Sequence, residues 1–176
     1  MFPVPYDMYE IKKREQYFFD LETVDRLAGF LCGFEKPCCL CAPLVGAAAE
    51  ERGVEVTVLD VDERFARLHG FVRFDLYRPT WLGNRFDIIL CDPPFYKISL
   101  SQLFVALRTL SLNDFSQPLL LSYLVRREAN VLKTFSPFSL RPTGYHPAYE
   151  TVQRCERNDI QFYSNLPEQR LRQLKV

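Results

Sequence analysis

The sequence predicts an α/β fold in which a mostly parallel sheet of about seven strands carries helices on both faces. Apolar runs typical of buried strands alternate with helical stretches of about ten residues, as in parallel sheets whose strands are joined by helices. Two late runs have no clear helix between them, which indicates an antiparallel excursion at one edge. With 176 residues, 48% hydrophobic and 25% charged, the chain is expected to form one domain over residues 1–176.

The segment before the sheet predicts one helix. Residues 1–15 are polar and basic, and we expect them to be partly loose. A helix then begins after Asp20, a good N-cap, and stops near Gly33. The residues expected to face the core recur at helical spacing: Val24, Leu27, Ala28 and Leu31.

The rest of the chain predicts strands and helices in alternation. Strands are expected at 37–42, 54–60, 71–75, 85–91 and 118–123, with two more within 138–164, of which 159–164 is the last. Helices are expected at 46–52, 62–69, 99–110 and 126–134, the first two closed by Gly53 and Gly70.

Charge and cysteine usage narrow the function classes. A protein that holds long nucleic acid by its phosphates is usually basic, so a net charge of zero disfavours tight non-specific binding unless a local basic patch exists. The six cysteines lack the paired spacing of a zinc site, and we expect buried thiols and no metal. The sequence contains no P-loop and no hydrolase motif around His69 or His146. Without a long apolar run or a signal-peptide pattern, we expect an intracellular, cytoplasmic protein with no membrane partner.

The strongest chemical signal is Asp92-Pro93-Pro94-Phe95, directly after the apolar run 86–91. The two prolines end this strand, because neither donates a ladder hydrogen bond and each fixes φ. Ligands of open α/β sheets bind outside the carboxyl ends of strands. There Asp92 and the Pro93 carbonyl can accept the N–H bonds of a planar amino group while Phe95 stacks on it. We therefore interpret Asp92, Pro93, Pro94 and Phe95 as catalytic residues for amino methylation; the alternative is an ordinary Asp-Pro turn.

The turn after the first strand, Cys41-Ala42-Pro43, is expected to contact the cofactor. A dinucleotide fold would show Gly-x-Gly-x-x-Gly here, whereas this turn has only Gly46, which disfavours nicotinamide and flavin cofactors. S-adenosylmethionine carries no phosphate and demands less of the turn, although most methyltransferases of this architecture have an acidic residue and several glycines at this place.

Two further carboxylates are candidate cofactor ligands. Asp60 ends the second strand, where a carboxylate can accept hydrogen bonds from both ribose hydroxyls. Asp62 is a second candidate, with the capping of the following helix as its alternative role. Asp75, at the end of the third strand, could accept a bond from the adenine amino group of the cofactor.

With these residues placed, the chain resembles the probable N6-adenine methyltransferase-like family over roughly residues 10–165. Three stretches carry the likeness: Gln16-Tyr17-Phe18-Phe19-Asp20, Leu59-Asp60-Val61-Asp62 and Asp92-Pro93-Pro94-Phe95. The resemblance implies the Rossmann-like class I methyltransferase fold and S-adenosyl-L-methionine as cofactor. It also implies that Gln16, Tyr17 and Phe18 lie near the cofactor or the target.

The resemblance leaves the target open. Some members of the family methylate adenine N6 in RNA, and others methylate a lysine of a translation elongation factor. The motif favours adenine, with RNA preferred over DNA as partner. The RNA-modifying members tend to carry extra zinc-binding modules, which this sequence lacks. That lack, together with neutral charge and small size, favours a protein lysine as the target. A catalytically inactive methyltransferase-like binding module is a third hypothesis, motivated by the glycine-poor first turn. The sequence does not predict an oligomeric state.

Overall fold

The computed structural model describes residues 8–175, and its centre is a seven-stranded sheet. The strands are β1 Pro37–Leu40, β2 Thr57–Asp60, β3 Phe71–Arg73, β4 Ile88–Cys91, β5 Leu119–Leu124, β6 Arg141–Pro142 and β7 Ile160–Ser164. Their order is β3-β2-β1-β4-β5-β7-β6. The strands β1 to β5 are parallel, and β7 pairs antiparallel with both β5 and β6. The predicted α/β fold with an antiparallel edge is confirmed.

Helices cover both faces of this sheet. They are α1 Leu21–Leu31, α2 Pro43–Glu51, α3 Leu100–Leu110, α4 Glu128–Thr134 and α5 Glu168–Leu171. Side chains of a strand alternate between faces, so Cys39 packs with α1 and α2 while Cys38 and Leu40 pack on the side of α3 and α4. Cys38, Cys39 and Cys91 are buried core residues, as expected. The expectation is wrong for Cys32 and Cys155, which are exposed because they lie at the end of α1 and in an irregular segment.

The order of the strands creates a crevice. Strand β1 pairs with β2 on one side and with β4 on the other, so the chain changes direction across the sheet between β1 and β4. Such a switch point leaves a gap outside the carboxyl ends of the strands that border it. Asp60 is the last residue of β2 and Asp92 directly follows β4, so both carboxylates lie at this edge.

The predicted helix 62–69 is wrong. Only a 3₁₀ turn, Glu63–Phe65, forms there, because the Asp62 carboxylate accepts the Arg64 amide at 3.1 Å and fixes a tight turn. The chain must then return at once to pair β3 with β2. Gly70 makes this return so closely that an added Cβ would lie 1.8 Å from the Val56 carbonyl oxygen.

Other boundaries move by a few residues. Helix α2 begins three residues earlier than predicted, because Pro43 suits the first helical turn, where its missing N–H is not needed. Helix α1 has the predicted bounds, and the Asp20 carboxylate accepts the Thr23 amide at 2.9 Å. Helix α3 is likewise confirmed, with Ser99 as its N-cap.

Residues 9–20 form a segment, here called the N-terminal strap, that is tied to three parts of the fold. The Tyr9 carbonyl accepts hydrogen bonds from Arg64 at 3.1 Å, and the Glu10 carboxylate accepts one from Thr151. The Glu15 carboxylate accepts the amides of Tyr96 at 2.9 Å and Lys97 at 3.1 Å. Residues 1–15 were predicted to be partly loose; of these, 1–7 lie outside the described residues, and 9–15 are anchored by these bonds.

Among residues 8–175, no helix combines the length and the apolar character needed to cross a membrane. Within the same range, no cluster of three histidine, cysteine or acidic side chains has the arrangement of a metal site.

Candidate active site

A cleft of about 1070 Å³ opens at the carboxyl ends of β1, β2 and β4. This is close to the upper limit for small-molecule sites, about 1,000 Å³. The N-terminal strap and the segment after Tyr149 complete its walls. Most of the predicted site residues line it: Gln16, Tyr17, Phe18, Cys41, Pro43, Asp60, Asp75, Asp92, Pro93, Pro94 and Phe95. Ala42 and Asp62 do not.

Asp92 is held from one side only. Its Oδ1 accepts a hydrogen bond from the Tyr149 hydroxyl at 2.7 Å and another from the Ser122 hydroxyl. Within residues 8–175, no hydrogen bond reaches the second oxygen, Oδ2. One oxygen of the carboxylate is therefore fixed by the protein, and the other is left for a donor in the cleft.

Burial dominates the protonation of Asp92. It raises the pKa of this carboxyl from its ordinary value of 3.8 to about 7, while the hydroxyls of Ser122 and Tyr149 act to lower it. The charge of Asp92 in turn adds to burial in raising the pKa of Tyr149 well above its usual range. Tyr149 therefore remains a hydroxyl donor wherever Asp92 is ionised.

The two prolines after Asp92 differ in what their carbonyls do. The Pro94 carbonyl accepts the Ile98 amide at 3.2 Å, which closes a turn. In the described part of the chain, the Pro93 carbonyl accepts no hydrogen bond. Phe95 is fixed edge-on against Tyr123, with ring centroids 5.2 Å apart, and its carbonyl accepts the Tyr123 hydroxyl at 3.3 Å. The turn thus presents a free carbonyl and an anchored ring beside Asp92.

An exposed aromatic residue and two cations lie next to this turn. Tyr96 is 65% exposed, and its hydroxyl accepts a hydrogen bond from Arg126 at 2.9 Å. The Arg126 guanidinium also lies 5.9 Å from the centroid of the Tyr96 ring. Lys97 follows in sequence, and its backbone amide is held by Glu15. Tyr96, Lys97 and Arg126 together are called the substrate rim below.

Asp60 and Asp62, the two carboxylates at the end of β2, have different surroundings. The Asp60 carboxyl is 7% exposed, and burial raises its pKa to about 6. Its Oδ1 accepts the Asp62 amide at 2.9 Å. The side chain of Asp62 instead binds Arg64, which donates at 2.6 Å, and Gln16, which donates at 2.8 Å. These bonds outweigh burial and lower the pKa of Asp62. Asp60 thus faces the cleft, whereas Asp62 caps the turn and holds the strap.

The turn after β1 takes a backbone conformation that glycine usually provides. Cys41 has φ 57°, in the left-handed region, and its amide donates to the Leu59 carbonyl at 2.9 Å. Ala42 then caps α2, and Pro43 begins it. Gly46 is required for a different reason, since an added Cβ would lie 2.4 Å from a methyl carbon of Val58. The sharp turn and the close approach of helix to strand are both present, although the glycine fingerprint is not.

The remaining predicted residues lie at the edge of the cleft. The Asp75 carboxylate accepts the Tyr77 amide at 2.9 Å, so it is partly engaged in its own turn. Phe18 is buried, with its ring edge-on to Phe65 at 6.3 Å, and Tyr17 is exposed.

Sequence reasoning missed Ser122 and Tyr149. Ser122 interrupts the apolar run of β5. Cys91 of β4 pairs with Leu121 of β5, so the next residues along the two strands, Asp92 and Ser122, lie beside each other. That interruption was a signal in the sequence. Tyr149 gave none. Its position depends on a bridge to Phe19, whose ring centroid is 4.9 Å away.

Comparison with known families gives a match over residues 10–168 to the family described as probable N6-adenine methyltransferase. No curated protein matches the chain.

Solved structures share the fold at low sequence identity. A putative RNA methyltransferase from Pyrococcus horikoshii superposes with TM-score 0.57 and 18% identity, covering 89% of both chains. Magnesium protoporphyrin IX methyltransferase from Synechocystis, with bound SAM, gives TM-score 0.55 and 17% identity over 81% of this chain and 78% of its own. A TehB-like SAM-dependent methyltransferase from Corynebacterium glutamicum gives TM-score 0.55 and 12% identity, over 82% of this chain and 87% of its own.

Proposed function

The chain belongs to the probable N6-adenine methyltransferase family, and we propose that it methylates the N6 amino group of adenine in nucleic acid, with RNA favoured over DNA. It is a methyltransferase that uses S-adenosyl-L-methionine. The observation that carries the proposal is the presentation of Asp92, with one oxygen fixed by the protein and the other left for a donor beside the unbonded Pro93 carbonyl.

The cleft suits a nucleoside-bearing cofactor. Asp60 offers a buried carboxyl where two ribose hydroxyls could donate, and their bonds would favour its ionised form. Cys41 and Pro43 line the same end, and Gln16 reaches it from the strap. When bound, S-adenosylmethionine supplies an electrophilic methyl group and leaves as a neutral thioether.

Asp92 and Pro93 would act on the target nitrogen. An exocyclic amino group carries two N–H bonds, one for Asp92 Oδ2 and one for the Pro93 carbonyl, and Phe95 would pack against its plane. As the new N–C bond forms, the nitrogen becomes positive and must lose one proton. The ionised carboxylate of Asp92 would stabilise that charge and accept that proton, which then passes to solvent.

The substrate rim favours nucleic acid over a lysine-bearing protein. Cations bind phosphates, and exposed aromatic rings stack on bases. Tyr96 and Lys97 line the cleft and Arg126 lies against the Tyr96 ring, so the rim combines both features. A lysine-rich protein segment would meet like charge there. The cleft admits a single base only when that base is unpaired, which favours single-stranded RNA.

Methylation assays test the target. Labelled S-adenosylmethionine is offered with single-stranded RNA, single-stranded DNA, and a translation elongation factor, and label is expected on adenine N6 of RNA first. Lys97→Ala and Arg126→Ala should each raise the KM for RNA about three- to tenfold and reduce its salt dependence. Lys36→Ala is the matched control, because Lys36 is exposed at the opposite end of the sheet.

Two outcomes contradict the proposal. Label on a protein lysine alone would replace adenine by lysine as the target. Absence of any binding heat at millimolar S-adenosylmethionine would instead support the inactive binding module.

A further inference from the structure

We propose that Ser122 and Tyr149 are positioning residues: their hydroxyls hold one oxygen of Asp92, so that the carboxylate turns its other oxygen toward the target amino group. This inference rests on the proposed function, since it concerns the same Asp92.

The two hydroxyls come from unrelated parts of the chain. Ser122 is buried in β5, one step beyond the last paired residue next to β4, and it reaches Asp92 across the sheet. Tyr149 lies in the irregular segment between β6 and β7. Both donate to Oδ1, so neither competes for Oδ2. Two donors on one oxygen fix the plane of the carboxylate as well as its position.

Tyr149 is itself placed by the N-terminal strap. The Glu150 amide donates to the Phe18 carbonyl at 2.9 Å, and the Asp20 amide donates to the Ala148 carbonyl at 3.0 Å. These two bonds enclose the bridge between Phe19 and Tyr149. The stretch Gln16-Tyr17-Phe18-Phe19-Asp20 thereby acquires a second role: its Phe19 end fixes the tyrosine that orients Asp92.

The hydroxyls of Ser122 and Tyr149 are the groups that stabilise the ionised form of Asp92 among the described residues around it. The other titratable groups that face it are the thiols of Cys41 and Cys91, and burial raises the pKa of both, so they remain neutral. Asp60 lies beyond Cys41 and is itself acidic. Among the described residues no cation lowers the pKa of Asp92, whereas Ser122 and Tyr149 both do. Loss of either hydroxyl therefore shifts the carboxylate toward its neutral, non-accepting form.

The test compares Ser122→Ala and Tyr149→Phe with wild type. Single-turnover methylation is measured from pH 6 to 9 with saturating S-adenosylmethionine and RNA. If one hydroxyl lowers the pKa of Asp92 by about one unit, each variant loses about tenfold at pH 6 and about fivefold at pH 7, with recovery near pH 9. A merely structural role would give a loss that does not depend on pH.

Matched controls separate this effect from general damage. Tyr163→Phe removes a buried hydroxyl that binds Glu128, and Ser164→Ala removes one that donates to the Leu119 carbonyl at 2.6 Å. Both should keep the wild-type pH profile. Calorimetry should show unchanged S-adenosylmethionine binding in Ser122→Ala and Tyr149→Phe.

A readout without substrate completes the design. With ¹³C-labelled aspartate, the carboxyl carbon of Asp92 can be titrated by NMR, using Asp92→Asn for assignment. Its midpoint should rise in Ser122→Ala and in Tyr149→Phe but not in the controls. An unchanged NMR midpoint in the variants, or a rate loss that is equal at all pH values, overturns the inference. The proposed function still stands in that case, provided that the wild-type protein methylates its substrate. A wild type that methylates no amino group overturns the proposed function, and the inference with it.

Discussion

Two carboxylates at the edge of one sheet are stabilised in opposite ways. Asp60, on the proposed cofactor side, is held by the backbone amide of Asp62, two residues away. Asp92, on the proposed substrate side, is held by side chains 30 and 57 residues further along the chain. Burial raises the pKa of both. The comparison shows that a local turn holds the Asp60 carboxylate, whereas tertiary contacts hold the Asp92 carboxylate.

The largest expected effects come from replacing each carboxylate in turn by an amide, because one change should affect mainly the methylation rate and the other mainly S-adenosylmethionine binding. Asp92→Asn is expected to lower the methylation rate at least about hundredfold, because a carboxylate that accepts the N–H bond and the proton is lost. Its binding of S-adenosylmethionine should stay within about threefold of wild type, since Asp60 is intact.

Asp60→Asn should show the reverse pattern. Loss of charged hydrogen bonds to ribose hydroxyls would weaken S-adenosylmethionine binding about ten- to hundredfold, with a smaller effect on the rate at saturating cofactor. Calorimetry and single-turnover assays on both variants measure the split. Wild-type turnover by Asp92→Asn would remove Asp92 from the mechanism.

Packing on the cofactor side gives the next effect. Gly46→Ala forces a Cβ to within 2.4 Å of Val58, so helix α2 must move away from β2. We expect a loss of about 1–3 kcal/mol in the free energy of unfolding. Gly29→Ala is the control, because nothing lies within 4 Å of the added Cβ in α1. It should stabilise the protein by about 0.5–1 kcal/mol, measured by urea denaturation. Equal effects in the two variants would contradict the close approach of α2 and β2.

The last expected effect is on the pH dependence of stability. The folded pKa of Asp92 is raised above its unfolded value, so its contribution to stability is full below about pH 4 and is lost as pH rises toward 7. Asp92→Asn lacks this loss. Without ligand, the variant should gain roughly 2–3 kcal/mol relative to wild type between pH 5 and pH 8, because each pH unit between the two pKa values contributes about 1.4 kcal/mol. A constant difference across that range would contradict a raised pKa.

Much of this protein could be predicted from local sequence. The alternation of apolar runs with helical segments gave the sheet and its helices, because side-chain periodicity follows directly from strand and helix geometry. The turn Asp92-Pro93-Pro94-Phe95 was located at a strand end for the same reason. The failed helix at 62–69 shows the limit. Its local pattern was helical, but the need to return to β2 at Gly70 decided the conformation.

The sequence by itself determined the fold, the strand-end positions of Asp60 and Asp92, and the family to which the chain belongs. Only the tertiary structure decided that Asp62 holds the strap, that Cys41 adopts the turn without glycine, and that Ser122 and Tyr149 bind Asp92. The physical reason is distance along the chain. A cap or turn is fixed by neighbours within a few residues, whereas the bonds to Asp92 join segments that meet only when the sheet and the strap have assembled.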